Sequence, residues 1–92
     1  MYKIRFSRRF KKSEKRLKYS GDYNQDETDK VVKLLSQGIE LPQAYKDHQL
    51  KGDMAGRMEC HIKSDLILIY EIDSVEMIIT LVDIGSHSDL FG

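Results

Sequence analysis

The sequence predicts an α+β domain with the element order β-α-α-β-β-β. Three observations point to that class. Apolar and polar residues alternate with period two at the start of the chain and again from Arg57 onward, the pattern of half-buried strands. Between these regions two segments carry apolar residues at helical spacing. The late strand patterns are separated only by tight turns, which makes an antiparallel meander, and helices packed on one face of such a sheet form an α+β domain.

Tyr2, Ile4 and Phe6 alternate with Lys3, Arg5 and Ser7, so the first strand has one wet, basic face. Ser7 is placed to cap a helix over residues 8–19. On it Phe10 and Leu17 share a stripe, and Lys11, Lys12, Lys15, Arg16 and Lys18 cover the rest. Ser20-Gly21-Asp22 breaks the pattern. Asn24 with Glu27 resembles a capping box, Val31, Val32, Leu34 and Leu35 have helical periodicity, and Gly38 stands where a C′ glycine belongs. The second helix is therefore expected over residues 25–37, in an antiparallel hairpin with the first.

Residues 39–56 read as loop: Pro42 stops any helix, Gly52 and Gly56 bracket a turn, and Tyr45-Lys46-Asp47-His48 falls on irregular chain. Beyond Arg57, Met58, Cys60 and Ile62 point one way, and Arg57, Glu59, His61 and Lys63 the other. Lys63-Ser64-Asp65 is a tight turn. Leu66-Ile67-Leu68-Ile69-Tyr70 is continuously apolar, as a central strand covered on both faces would be. Asp73-Ser74 makes the next turn, and Met77 to Val82 the last strand.

At 92 residues the chain has room for one domain, 1–92, and its 40% hydrophobic content suffices for a small core. The formal net charge is zero, but it is the sum of unlike parts. Residues 1–20 hold nine Lys or Arg against Glu14, a charge of +8, and residues 21–92 hold six bases against fourteen acids, a charge of −8. The balance excludes only a uniformly basic nucleic-acid binder; its asymmetry points to an anionic partner at one end of the molecule. The single cysteine, Cys60, excludes a disulfide within the chain and a CxxC metal or redox site. No apolar run is long enough for a signal segment or a bilayer span, so a cytosolic protein without a membrane partner is expected.

The candidate chemistry lies in the acidic part. All three histidines, His48, His61 and His87, are there. Glu59 and His61 leave one face of one strand, the face that the helices leave open, together with Arg57 and Lys63. Phe91 near the end reads as a core plug or as a stacking platform for a base. The histidines show no HxH or HxxxH spacing and Cys60 falls on the apolar face, so neither a metal site nor a cysteine nucleophile is expected. No GxxxxGK[ST] or GxGxxG phosphate loop is present.

The stretch Tyr45-Lys46-Asp47-His48-Gln49-Leu50-Lys51-Gly52 resembles the Y-K-D-H-x-L-x-G segment of the YafQ branch of RelE-type toxins, the toxin halves of bacterial type II toxin–antitoxin pairs. The similarity continues through Gly56, Glu59-Cys60-His61-Ile62, Asp65-Leu66-Ile67-Leu68-Ile69-Tyr70 and Gly85-Ser86-His87-Ser88-Asp89-Leu90-Phe91-Gly92, so it covers residues 45–92, about half the chain. The resemblance implies a RelE-like fold, a small antiparallel sheet with two N-terminal helices on one face. It also implies an endoribonuclease that cleaves mRNA in the ribosomal A site, with no cofactor and with a cognate antitoxin as partner. The family's functional positions fall on His48, Glu59, His61, Asp65, His87 and Phe91. Three positions depart from its pattern: Glu59 is often Asp, Met58 often Arg and Leu66 often Trp.

Metal-free RNA cleavage requires deprotonation of a 2′-hydroxyl, protonation of a 5′-oxygen and stabilisation of a pentavalent phosphate, and histidine suits both proton transfers. The expected roles are His87 as acid, His48 or His61 as base, Asp65 and Glu59 orienting them, and Phe91 stacking on a base. Arg57, Lys63, Lys11, Lys12, Lys15 and Arg16 are expected to hold phosphates. The alternative expectation is a catalytically weakened member of the fold that binds RNA, ribosome or antitoxin without cutting.

Overall fold

The computed structural model of the chain describes residues 1–52 and 56–92, so the turn expected between Gly52 and Gly56 lies outside the described residues. Strand β1 (Lys3–Phe6) leads into helix α1 (Arg8–Ser20), followed by helix α2 (Gln25–Ser36) and a single 3-10 turn at Gln43–Tyr45. The rest is β2 (His48–Gln49), β3 (Met58–Lys63), β4 (Leu66–Asp73), β5 (Ile78–Gly85) and a short helix α3 (His87–Phe91). The sheet order is β1-β5-β4-β3-β2.

The helix ends follow from their caps. The Ser7 hydroxyl accepts the Phe10 N–H at 3.0 Å and donates to the Val82 carbonyl at 2.7 Å, so one side chain starts α1 and ties it to β5. Asn24 caps α2 through the Asp26 N–H at 2.9 Å. Glu27 does not close the expected box; it pairs with Lys63 Nζ at 3.0 Å. Gly38, at φ 71°, ends α2: its N–H reaches the Leu35 carbonyl and that of Ile39 the Leu34 carbonyl.

The expected antiparallel meander is present in β3, β4 and β5, but the sheet as a whole is mixed. β1 runs parallel to β5, Lys3 opposite Ile78 and Phe6 opposite Leu81. A parallel neighbour needs a long crossover, and here everything between β1 and β5 supplies it. The second difference is β2. His48 and Gln49, expected on irregular chain, form a two-residue edge strand antiparallel to β3, with His48 opposite Glu59.

Both N-terminal helices pack on one face. Phe10 of α1, with Val31 and Leu35 of α2, shares a core with Cys60, Ile62, Leu66, Leu68, Tyr70, Ile79, Leu81 and Ile84. Ile67 and Ile69 are equally buried but outside that cluster, so β4 is covered on both faces as its unbroken apolar run implies. On β5 the core phase moves from Ile79 and Leu81 to Ile84, where the β4–β5 register shifts between Ile69 and Tyr70. Asp83, caught at that shift, is buried against α1, where Ser13 donates a 2.6 Å hydrogen bond to it.

Candidate active site

The sheet register aligns the candidate residues in two rows, whose β3 members Glu59 and His61 lie on the face away from the large helices and whose β5 member Asp83 meets α1 at the sheet edge. One row runs His48, Glu59, Ile69, Asp83 across β2 to β5. The next runs His61, Ile67, Gly85. Two residues past Gly85 the chain enters α3 at His87. Sequence-distant side chains therefore meet because antiparallel pairing places alternate residues of each strand on one face.

Glu59 is the hub of the first row. Its side chain is 8% exposed, and one oxygen, Oε1, stands 3.2 Å from His61 Nε2 and 3.5 Å from His48 Nε2. The two imidazole rings are 6.5 Å apart, centroid to centroid. A buried carboxylate is costly unless paired; His61 supplies the pairing, and His48 adds to it once its ring takes up a second proton. His48 is fixed from its other side: Nδ1 is 2.8 Å from the Lys46 carbonyl. A carbonyl only accepts, so Nδ1 carries a proton, and the neutral ring keeps its lone pair on Nε2. Lys46 presents that carbonyl from a left-handed conformation, φ 49°. In His61 the roles reverse, with Nε2–H donating to Glu59. The two rings are chemically distinct: His48 offers a base nitrogen, whereas the corresponding nitrogen of His61 is engaged.

The second row ends at α3. Asp65 lies in the turn between β3 and β4, and its Oδ1 accepts the backbone N–H of His87 at 3.1 Å. The expectation that Asp65 orients a histidine ring is corrected here: the contact is to the backbone, because the first N–H groups of a helix lack partners within it. Asp65 thus fixes where His87 stands. Ser86 and Asp89 form a capping box: the Ser86 hydroxyl accepts the Asp89 N–H at 3.1 Å and Asp89 Oδ2 accepts the Ser86 N–H at 3.1 Å. Phe91 is not the core plug that its position first suggests. It is 39% exposed and lies against the His87 ring, centroids 5.1 Å apart.

The chain matches, over residues 2–92, the family model described as a bacterial toxin of type II toxin–antitoxin systems, YafQ. The chain belongs to the YafQ toxin family. A curated relative, the mRNA interferase toxin YafQ of Escherichia coli K12, is 30% identical over 89 residues, spanning 83% of this chain and 95% of that protein. The crystal structure of a metal-bound toxin from Helicobacter pylori is 41% identical, covers 99% of this chain and 100% of its own, and superposes with a TM-score of 0.90. YafQ in the crystal structure of the E. coli DinJ–YafQ complex is 29% identical, with full coverage of both chains and a TM-score of 0.87.

The remaining site candidates of this YafQ-family toxin are placed less as expected. Arg57 flanks the first row but pairs through Nε with Glu71 Oε1 at 2.8 Å. Lys63 does not share the face of His61. The β3–β4 register shifts between the two residues, which breaks the alternation, and Lys63 turns toward Glu27 of α2. Lys11, Lys12, Lys15 and Arg16 are exposed on α1, and Arg16 lies within electrostatic reach of Asp89 on α3. Cys60 is fully buried on the helix-covered face, and burial, with the Asp47 and Glu59 carboxylates adding, pushes its thiol up to about 12, so it stays protonated and is no nucleophile. Among the described residues no group of three or more His, Cys, Asp or Glu side chains is arranged to hold a metal ion.

Two residues that sequence reasoning missed hold α3 in place. Gly85 leaves room for it: a Cβ there would stand 3.0 Å from Asp89 Cβ and 3.2 Å from Asp89 Oδ2. Gly85→Ala is expected to push α3 outward by a few tenths of an ångström. It should lower activity while leaving the chemical denaturation midpoint nearly unchanged, because the core is untouched. Asp89 holds the start of α3. The Ser86 backbone N–H, then the Ser86 hydroxyl, hold its carboxyl below the usual carboxylate range. A depressed folded value means the cap's contribution is complete above the ordinary aspartate range and is lost as pH falls through the lower folded value. Protection of the α3 amides, taken relative to their intrinsic exchange rates, should therefore stay constant between about pH 5 and 8 and fall only in stronger acid. The signal for this cap was present, since Ser86 and Asp89 have the spacing of a capping box.

Proposed function

We propose that this YafQ-family toxin is an endoribonuclease that cuts mRNA by metal-independent acid–base transphosphorylation, acting in the ribosomal A site. The observation that carries the reading is the convergence of His48 and Glu59 in one row with His61 in the next, where Asp65 sets His87 at the end of that second row. His48 Nε2 takes the proton of a 2′-hydroxyl, and the freed oxygen attacks the adjacent phosphorus. The bond from phosphorus to the 5′-oxygen breaks, and His87 gives that oxygen its proton. The products are a 2′,3′-cyclic phosphate and a 5′-hydroxyl. Each proton transfer of this kind contributes roughly 10² to 10⁴ in rate. Glu59 and His61 orient His48 and hold positive charge near the phosphate, and Phe91 stacks on a base beside His87.

The basic α1 surface is the seat we assign to ribosomal RNA and, in the resting complex, to an acidic antitoxin. The DinJ–YafQ toxin–antitoxin complex of a relative supports an antitoxin as partner. No helix among the described residues is long and apolar enough to cross a membrane, which agrees with a cytosolic site of action.

The reading is tested by expressing the chain and mapping new mRNA 5′ ends, and by treating the purified protein with EDTA, removing the chelator and assaying it on isolated ribosomes whose magnesium is kept. Codon-linked cuts that persist after this treatment support it. Growth arrest without new ends would leave the non-cleaving binder, and activity lost on treatment and regained when zinc or manganese is added would assign the chemistry to a metal.

A further inference from the structure

The proposed reaction places a phosphodiester between His48 and His87 whose single negative charge grows as the 2′-oxygen attacks, and fixed cations at that point are where much of the stabilisation of such a reaction comes from. Of the six cations expected from sequence, the two nearest the rows, Arg57 and Lys63, pair with carboxylates outside them. Lys63 pairs with Glu27 of α2, and Arg57 pairs with Glu71, two residues along the chain from Glu59 and from its partner Ile69. A different cation reaches the rows. β1 ends opposite Leu81, and beyond that point α1 lies along β5. There Arg9 Nε stands 3.0 Å from Asp83 Oδ2, while Ser13 donates to the other oxygen at 2.6 Å.

The geometry is that of a held arginine rather than a loose surface pair. The Asp83 side chain is 8% exposed and both of its oxygens are committed, one to Arg9 and one to Ser13 and the Ile84 N–H. The Arg9 side chain remains 70% exposed, so its terminal amino groups stay open to an anion. Asp83 belongs to the row of His48 and Glu59, two strand spacings or roughly 10 Å from Glu59. Asp83 is also two residues from Gly85, where α3 packs. Arg9, Ser13 and Arg16 follow one another at i, i+4 and i+7, a single stripe of α1. That stripe meets Asp83 at one end and Asp89 of α3 at the other.

We propose that Arg9 is the residue that contacts the reacting phosphate in this chain, and that Asp83 is its positioning residue. The proposal rests on the endoribonuclease reading and adds to it the source of the cation: α1 delivers it at the sheet edge beside β5. Asp83 spends one carboxylate to fix the arginine's stem while leaving its fork exposed.

The test uses the full chain and two readouts. Cleavage is followed on ribosomes carrying an mRNA in which 5′-end mapping locates a cut. Binding is followed separately, against a single-stranded RNA oligonucleotide across a salt series. Arg9→Ala should lower the cleavage rate by about 10² to 10³, the usual cost of one oxyanion-stabilising donor. It should also reduce the slope of log affinity against log salt by about 0.7, the loss of one phosphate contact on a single strand. Arg9→Lys should keep the slope and recover part of the rate. Asp83→Asn, which still accepts from Ser13, should keep the slope and lower kcat more than it raises KM. Should Arg9→Ala fail to fold, Arg9→Lys decides: a lysine variant that folds but has lost the slope overturns the contact. Arg9→Ala cutting at the parental rate, or binding with the parental slope, overturns the proposal. If the parent itself cuts nothing, the ribonuclease reading falls instead, and the slope alone then decides for or against the Arg9 contact.

Discussion

His87→Ala is expected to lower mRNA cleavage by roughly 10² to 10⁴ while leaving the fold intact. The fold should survive because the contact that anchors α3 is made by the His87 backbone N–H to Asp65, which alanine retains. The imidazole itself is exposed, and among the described residues its ring contact is with Phe91. Melting temperature and ribosome binding should match the parent. If His87 is the acid, the variant also loses the limb of the pH–rate profile on which the acid must be protonated, and an mRNA with a better leaving group at the 5′-oxygen, such as a bridging 5′-thiolate, should restore much of the rate. A variant that cuts at the parental rate would remove His87 from the reaction.

The second large effect is a coupling. His48→Ala removes the proposed base and should cost a further loss in the same range of roughly 10² to 10⁴. Glu59→Gln keeps the shape and an acceptor for His61 but removes the charge, and should cost less. Because Glu59 acts through His48, the double variant should be no slower than His48→Ala alone, as groups working as a unit are strongly non-additive. Independent, multiplying losses would show that Glu59 touches the substrate by itself. The three rates and the stability of each variant, measured together, separate the two cases: a merely structural role for Glu59 would lower the unfolding midpoint along with the rate.

How much of this was legible in the sequence depends on the range of each signal. Local signals were read well. Ser7 and Gly38 are placed by the conformations that helix ends require, and the alternation from Met58 to Ile62 separates the buried face from the site face because side chains on a strand alternate. The apolar run Leu66 to Tyr70 showed a strand covered twice. Signals that depend on pairing were not legible. Two residues have no period, so β2, and with it the placement of His48 opposite Glu59, could come only from the family resemblance or the structure. The parallel pairing of β1 is set by a neighbour far along the chain. Lys63 left the expected face because a register shift interrupts the alternation that periodicity assumes. The contacts of Asp65 to a backbone N–H and of Arg9 to Asp83 join residues whose separation carries no pattern. The charge division seen at the outset acquires a structural meaning: the basic N-terminal part is docked onto the acidic part at Asp83 and Asp89, beside the proposed site.

The central claim is that the chain cuts RNA by making the substrate's own 2′-hydroxyl the nucleophile. The most direct measurement replaces that one hydroxyl with hydrogen at the nucleotide 5′ to the mapped cut, in an otherwise unchanged mRNA on the ribosome. Cleavage at that site should cease while binding persists, and the unmodified mRNA should yield a 2′,3′-cyclic phosphate with a 5′-hydroxyl. Continued cutting of the 2′-deoxy substrate, or a 5′-phosphate on the product, would contradict the account.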